Sequence, residues 1–236
     1  MSSLSNKKYS LVIPCYNEAE NLPRLINNCQ EIIADNNYEL ILVNNGSNDN
    51  SLEIMNELKL SHDNIQIVNI TKNKGYGHGI VQGLLKANGD ILGWTHADNQ
   101  THPKDFIKAT QLMTSKKLDF VKGKRYGRSL FDSFFSLSMG IFETILLGKF
   151  LYEINAQPTV FKKSFFEKFI ISSPIDFSLD LYIYYLAKKS GLKIGRFKVY
   201  FGKRQFGESK WNTGFRQRIK FIKRTISYSF KLKKSL

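Results

Sequence analysis

Disulfide staples are the first thing this sequence lacks. Cys15 and Cys29 are its only cysteines, with neither a metal-ligand spacing nor the density of a small secreted scaffold, so both are expected to be reduced core residues. Proline is scarce as well, at 5 residues, and with 42% hydrophobic content and no low-complexity linker the chain is not a disordered one. No internal repeat is present, which excludes a solenoid or propeller. Acidic residues are outnumbered, 20 against 35 Lys+Arg, giving +15 and pointing to an anionic partner: nucleic acid, a phosphorylated small molecule or an anionic membrane surface. A nucleic-acid reader motif is missing, so nucleic acid is not expected. Met1 to Lys8 is polar and holds no apolar stretch ahead of a cleavage site, so no secretory signal is read there and a cytoplasmic setting is expected. A long apolar run is also missing. Leu130 to Ile154 comes nearest, but Asp132, Glu143, Lys149 and Glu153 interrupt it, so a membrane crossing is not expected.

What is there suits one large α/β domain at residues 1–212 followed by a tail at 213–236. The first half alternates β-rich runs with amphipathic runs, the mark of a mainly parallel sheet with crossover helices. Strands are expected at Tyr9 to Ile13, Glu39 to Val43, Ile65 to Ile70 and Asp90 to Trp94. Helices are expected from Leu22 to about Ala34, capped by Asn21, then from Leu52 to Leu60 after Ser51, and around Ile80 to Leu85 ending at Asn88-Gly89. A donor half at about 9–103 then gives way to an acceptor half at 104–212. That half holds a helix Lys104 to Lys116, a strand Asp119 to Lys122, an aromatic amphipathic stretch Leu130 to Tyr152, a short strand near Val160, a helix Ser178 to Ser190 and a strand Lys193 to Tyr200.

Ligands of open α/β sheets bind beyond the carboxyl ends of strands, which marks the segments after Ile13, Val43 and Trp94. The first is Pro14-Cys15-Tyr16-Asn17-Glu18, where proline is expected to end the ladder; a plain turn and a ligand contact fit it equally. Next, Asn44-Asn45-Gly46-Ser47-Asn48-Asp49 is turn chemistry that also offers donors and acceptors to a nucleobase and ribose. Lys72 to Gly79 is glycine-rich and basic ahead of a helix, able to approach phosphate, but it is neither a Walker loop nor a dinucleotide fingerprint. Asp98 and Gln100 offer oxygen ligands two positions apart, and His96 a nitrogen. One carboxylate plus diphosphate oxygens suits Mg²⁺ or Mn²⁺, although a solvated loop would show the same residues.

Taken in order, these segments resemble family 2 glycosyltransferases of the GT-A fold, in particular the polyprenyl-phosphate, dolichol-phosphate mannosyltransferase-like subgroup, over nearly the whole chain. Leu11 to Glu18 is similar to the family's Pro-x-Tyr-Asn-Glu opening, and Leu42 to Ser51 to its Val-Asp-Asp-Gly-Ser-x-Asp-x-Ser segment. Asn73 to Gly83 resembles its Asn-x-Gly stretch, Ala87 to Asp90 its Ala-x-Gly-Asp, and His96 to Pro103 its Asp-Ala-Asp-x-Gln-x-x-Pro metal loop. Gly123 to Tyr126 resembles its Gly-Ser-Arg-Tyr, Phe177 to Leu181 its phenylalanine-aspartate motif, and Arg204 to Lys210 its Arg-x-x-Gly-x-Ser-Lys closing loop. His96 stands where the family has its first aspartate, Asn44 and Asn45 replace an aspartate pair, and Asn155-Ala156-Gln157-Pro158 takes the place of an Asp-x-Thr-Ser-Gly-Phe motif.

The resemblance implies a mixed, mainly parallel GT-A (Rossmann-like) sheet with flanking helices and a metal-dependent, inverting sugar transfer. The donor is a nucleotide sugar; the acceptor is a polyprenyl phosphate or a hydroxyl of a glycan or lipid-linked sugar. It assigns the donor to Pro14, Tyr16, Asn17, Glu18, Asn45, Lys74, His96, Ala97 and Asp98, the metal (Mg²⁺ or Mn²⁺) to Asp98 and Gln100 with His96 as a further ligand, and acceptor and phosphate contacts to Arg125, Arg128, Ser209 and Lys210. Arg204 and Asp180 are the catalytic candidates, Asp180 as the base a hydroxyl acceptor needs; a phosphate acceptor is already ionised and needs none. An alternative, raised by His96 and the paired asparagines, is a catalytically weakened GT-A domain that binds nucleotide sugar or a membrane surface. The tail, with Phe215, Ile219, Ile222, Ile226 and Phe230 among Arg216, Arg218, Lys220, Lys223, Arg224 and Lys231, forms a basic amphipathic helix. It suits peripheral attachment to the cytoplasmic face of a membrane or packing on the domain, with Phe131, Phe134, Phe135, Leu137, Ile141, Phe142 and Leu146 as a second lipid-facing element or as core.

Overall fold

The computed structural model describes residues 8–204, 206 and 215–235. Its donor half runs β1 (Tyr9–Cys15), α1 (Leu22–Asn28), α2 (Gln30–Ala34), β2 (Tyr38–Asn45), α3 (Ser51–Ser61), β3 (Ile65–Ile70), α4 (Tyr76–Lys86) and β4 (Ile91–Trp94). The second half runs α5 (Lys104–Ser115), β5 (Phe120–Tyr126), α6 (Leu130–Leu147), β6 (Thr159–Lys162), α7 (Lys163–Phe169), a 3₁₀ turn (Ile170–Ser172), α8 (Ser178–Lys189), β7 (Ile194–Tyr200) and α9 (Phe215–Lys234). The seven strands form one sheet in the order β3-β2-β1-β4-β6-β5-β7, in which β6 alone runs antiparallel to its neighbours. The chain's first crossovers build outward from β1 through β2 to β3; β4 then returns to the other side of β1. This switch point is where the loops after β1, β2 and β4 are brought side by side.

Alternation along the buried strands separates two cores. Leu11, Ile13, Leu40 and Leu42 face α1, α2, α3 and α5, while Val12, Ile41 and Val43 face α4 and α8. Gly83 lets α4 lie close to the sheet, since a Cβ there would run into Val12 and Val43.

Several expected boundaries move for physical reasons. Pro14 does not end the ladder: β1 continues to Cys15, with Pro14 opposite Val43. Pairing with β4 stops at Val12, so proline's missing N–H falls on an open edge. The single helix expected after Leu22 is two, interrupted at Cys29, and Asn21, at the N-cap position, makes no side-chain cap: its amide nitrogen donates to Glu18 while its Oδ1 has no partner among the described residues. Helix α4 ends at Lys86, directly ahead of the expected stop at Asn88-Gly89, whose backbone N–H groups both donate to the buried Glu39 carboxylate. Both cysteines are buried and free, as expected. The apolar stretch yields a helix of 18 residues, so Lys149 and Glu153 fall outside it, and by length and composition α6 suffices to cross a membrane. Only 17% of it is buried.

Candidate active site

The three marked loops do converge, and side chains lace them together. Asn17 adopts a left-handed backbone, φ 55°, that turns its N–H to Ser47 Oγ (3.0 Å) while its Oδ1 accepts from Asn48 N–H (2.8 Å). Glu18 N–H donates to Ser51 Oγ and Ala19 N–H to Asp49, so the turn after β2 is a scaffold for the turn after β1. Pro14 and Tyr16 are half-buried beside it, and Asn45 is buried, its amide donating to Gly75 O at 3.1 Å. Asn45 Oδ1 has no hydrogen-bond partner among the described residues. Lys74 is exposed on the approach to α4.

The loop after β4 is held from both sides. Asn99 donates to Asn21 O and accepts from Asn28, tying it to α1. Gln100 exchanges two bonds with the segment after β7: Gly202 N–H donates to Gln100 O (2.7 Å), and Gln100 Nε2 donates to Gly202 O (3.1 Å). That donation spends the amide nitrogen and leaves Gln100 Oε1 as the atom for a cation. Ala97 is buried; Asp98 is half-buried, accepts from Gln100 N–H at 3.1 Å and has no ion-pair partner among the described residues. Nor do those residues contain a cluster of three or more His, Cys, Asp or Glu able to hold a metal alone. An unpaired carboxylate with one amide oxygen fits an ion that takes its other ligands from a diphosphate.

The arginines expected to meet phosphate are already engaged by carboxylates. Arg204 pairs with Glu18 at 2.6 Å, joining the segment after β7 to the first turn. Burial raises the Glu18 carboxyl from its ordinary value, with Arg204 and Asn21 opposing the rise. Arg125 (2.8 Å) and Arg128 (2.5 Å) share one carboxylate, Glu153. Burial pushes Glu153 up, but the two guanidiniums outweigh it and hold it below the usual carboxylate range. Ser209 and Lys210 lie outside the described residues.

A buried polar chain backs the site. Asp180, in the first turn of α8, is 2% exposed and receives Lys122 Nζ at 3.1 Å and Gln157 Nε2 at 2.9 Å on the same oxygen. Lys122 is fully buried, donates also to Thr159 Oγ1 (2.6 Å), and burial, opposed by Asp180, lowers its ammonium to about 8. Gln157 Nε2 reaches Tyr76 OH at 3.3 Å. The Tyr76 ring is sandwiched, stacked on Phe177 (4.5 Å) and on His96 (5.7 Å). Tyr76, Lys122, Glu153 and Gln157 were not picked out from sequence as site residues, although an inward-facing lysine in a strand is itself a signal that a carboxylate partner waits nearby.

Strand order and flanking helices define an α/β domain of the GT-A fold. The profile of glycosyl transferase family 2 matches residues 10–173, and the chain belongs to that family. It is 29% identical over 220 residues to an undecaprenyl-phosphate 4-deoxy-4-formamido-L-arabinose transferase of Photorhabdus laumondii, covering 90% of this chain and 65% of the relative. With a dolichol-phosphate mannosyltransferase of Pyrococcus furiosus it shares 32% identity over 119 residues, 50% of this chain and 33% of the relative. The chain thus spans between a third and two thirds of these relatives. Among solved structures, glucosyl-3-phosphoglycerate synthase of Mycobacterium tuberculosis, in complex with Mn²⁺, uridine diphosphate and glucosyl-3-phosphoglycerate, superposes with a TM-score of 0.71 at 14% identity, covering 96% of this chain and 80% of that one. A mannosyltransferase of Pyrobaculum calidifontis in complex with GDP-mannose and Mn²⁺ gives 0.65 at 17% identity, covering 95% and 64%.

Proposed function

We propose that this chain transfers a sugar, with inversion, from a nucleoside-diphosphate sugar to a phosphate acceptor carried on a polyprenyl lipid. The observation that carries the proposal is the convergence of the β1, β2 and β4 loops on Asp98, a carboxylate without an ion-pair partner among the described residues. The base and ribose lie against Pro14, Tyr16, Asn17, Glu18 and Asn45, with Lys74, His96 and Ala97 along the diphosphate. Asp98 and Gln100 would hold Mg²⁺ or Mn²⁺, with His96 next to them. The relatives' names and the Mn²⁺ in the similar structures support donor, acceptor class and metal.

The acceptor oxygen forms its bond to the anomeric carbon as the bond to the diphosphate oxygen breaks, and the leaving nucleoside diphosphate keeps the electron pair. Charge grows on that leaving group; a divalent cation, when bound, would help to neutralise it, and arginine stabilises the rest. A phosphate acceptor is already anionic, so no proton has to be removed. Arg125, Arg128, Arg204, Ser209 and Lys210 serve phosphate; for the first two this requires sharing or displacing Glu153.

A polyprenyl acceptor lies in a bilayer, and α6 supports attachment there. Leu130, Phe134, Leu137, Ile141 and Ile145 recur at three-to-four-residue spacing and are all exposed, with Phe131 beside them. The basic helix α9 does not stand apart as a tail: Ser229 and Leu232 are buried, and it packs against α6 and α8, joined to α6 by a hydrogen bond from Ser229 to Glu143. Lys223, Lys231, Lys233 and Lys234 remain exposed. We place α6 in the plane of the cytoplasmic membrane surface with α9 alongside, peripheral rather than spanning.

Thermal-shift titration with uridine and guanosine diphosphates and their sugars, with Mn²⁺ or Mg²⁺, tests the donor half, since a ligand of the native state raises its apparent stability. A metal-dependent shift and transfer or hydrolysis of the same sugar nucleotide is the expected outcome. Binding without turnover would identify a weakened domain used for binding.

A further inference from the structure

Alternation in β5 sends Val121 to one core and Phe120 and Lys122 to the other, beneath α8. A lysine on that face meets only what the sheet and α8 bring to it, and these bring Thr159, directly opposite in the ladder, and Asp180. A fully buried ion pair gives little net stability, and apolar replacement of both partners is often tolerated, so its presence calls for a use. Hydrogen-bond polarity supplies one. An ionised carboxylate only accepts, and with the Lys122 ammonium as counter-ion Asp180 obliges Gln157 to turn its amide nitrogen inward. The same nitrogen then reaches Tyr76 OH, and Gln157 Oε1 is left buried without a partner among the described residues. Tyr76 in turn backs His96, two residues from Asp98.

We propose that Lys122 and Asp180 are positioning residues: the buried pair fixes the Gln157 amide, Gln157 fixes Tyr76, and the Tyr76 ring sets His96 at the head of the metal loop. On this view Asp180 acts through Gln157 and does not take a proton from the acceptor. The inference rests on the transferase reading only for its effect on turnover; the network itself can be read without substrate.

The test is proton NMR of the histidine rings of the full chain at one fixed pH, with Lys122→Gln and Asp180→Asn, and with His96→Gln to assign the resonance. The ring current of Tyr76 acts on His96, and both variants are expected to shift its ring protons while those of His62, at the far end of α3, stay in place. Thermal melting is followed in parallel: Lys122→Met alone is expected to melt well below Lys122→Met with Asp180→Leu, because the single change leaves a buried carboxylate without its counter-ion. Unmoved His96 resonances in folded Lys122→Gln and Asp180→Asn would overturn the proposal. Once a turnover assay is in hand, Asp180→Asn and Lys122→Gln should each lower kcat by a similar factor of about ten and leave the acidic limb of its pH profile intact, the loss in the double variant being less than the product of the two. A loss in Asp180→Asn toward the upper end of the roughly 10²–10⁴-fold range of general-base catalysis, with the acidic limb gone and Lys122→Gln near wild type, would assign proton abstraction to Asp180 and refute it.

Discussion

At the scale of single residues, the division of labour follows from which charges are already satisfied. Asp98 has no ion-pair partner among the described residues, whereas Glu18 and Glu153 are each gripped by arginine. Removing Asp98 therefore leaves the fold alone and takes away the site's free carboxylate. Asp98→Ala is expected to melt within about 1 kcal/mol of wild type, the range of surface changes, and to lose the Mn²⁺-dependent part of the nucleotide-induced thermal shift together with turnover. Turnover at the wild-type rate would refute the metal assignment. Glu153→Gln makes the opposite prediction. It frees Arg125 and Arg128 from a half-buried carboxylate whose pairing lowers its pKa, so apparent stability should fall by about 1–3 kcal/mol at neutral pH. Affinity for inorganic phosphate or pyrophosphate should rise, measured by calorimetry at constant salt; unchanged affinity would show that the two arginines do not meet an anion.

At the scale of elements, the junction of α6 and α9 carries its own pH signature. Glu143 faces Ser229 from a fully buried position, its other oxygen has no partner among the described residues, and burial raises its carboxyl to about 7 against an ordinary value of 4.5. The folded state therefore holds the proton more tightly than the unfolded one. This stabilisation is complete below about pH 4.5 and is lost as pH rises through about 7. Glu143→Gln should remove that slope and stabilise the protein at pH 8 by about 1–3 kcal/mol, read as the difference between denaturant midpoints at pH 5 and pH 8. An identical slope in the variant would place the titration elsewhere.

Element boundaries also show what was legible in the sequence. The β-α rhythm of the donor half, the marked loops and both cysteines' burial were readable because each follows from local periodicity and turn chemistry. Asn88-Gly89 was legible as a stop, but its anchor was not: Glu39 lies 49 residues away and only the folded sheet brings the two together. The same limit hid Lys122–Asp180 and Arg125–Glu153–Arg128, whose members sit 58, 28 and 25 residues apart. Short-range pattern finds loops that offer groups to a ligand; it does not find which cations have been neutralised by distant carboxylates. Helix α7, folded directly after β6 and burying Phe165, Phe166 and Phe169, was absent from the expected elements because its seven residues are too few for a periodic signal.

At the scale of the whole molecule, +15 and an exposed apolar row have to be accommodated together. An apolar helix face left in water invites association with other chains, whereas the same face at a bilayer is covered, and exposed lysines of α9 then meet anionic headgroups. This predicts two separable contributions to binding. Anionic liposomes should retain the full chain at low salt and release part of it as salt rises, because the lysine contribution is screened over a Debye length of about 8 Å at physiological ionic strength. The apolar contribution is not screened, so Phe134→Glu with Ile141→Glu should abolish retention on neutral vesicles and the salt-resistant part of retention on anionic ones, while leaving melting temperature and the nucleotide-induced shift unchanged, since both side chains are exposed. Retention of that double variant at the wild-type level would remove α6 from the membrane contact. Extraction of the wild type from vesicles by high salt alone would show that the lysines carry the attachment and that the apolar row is covered by something other than lipid.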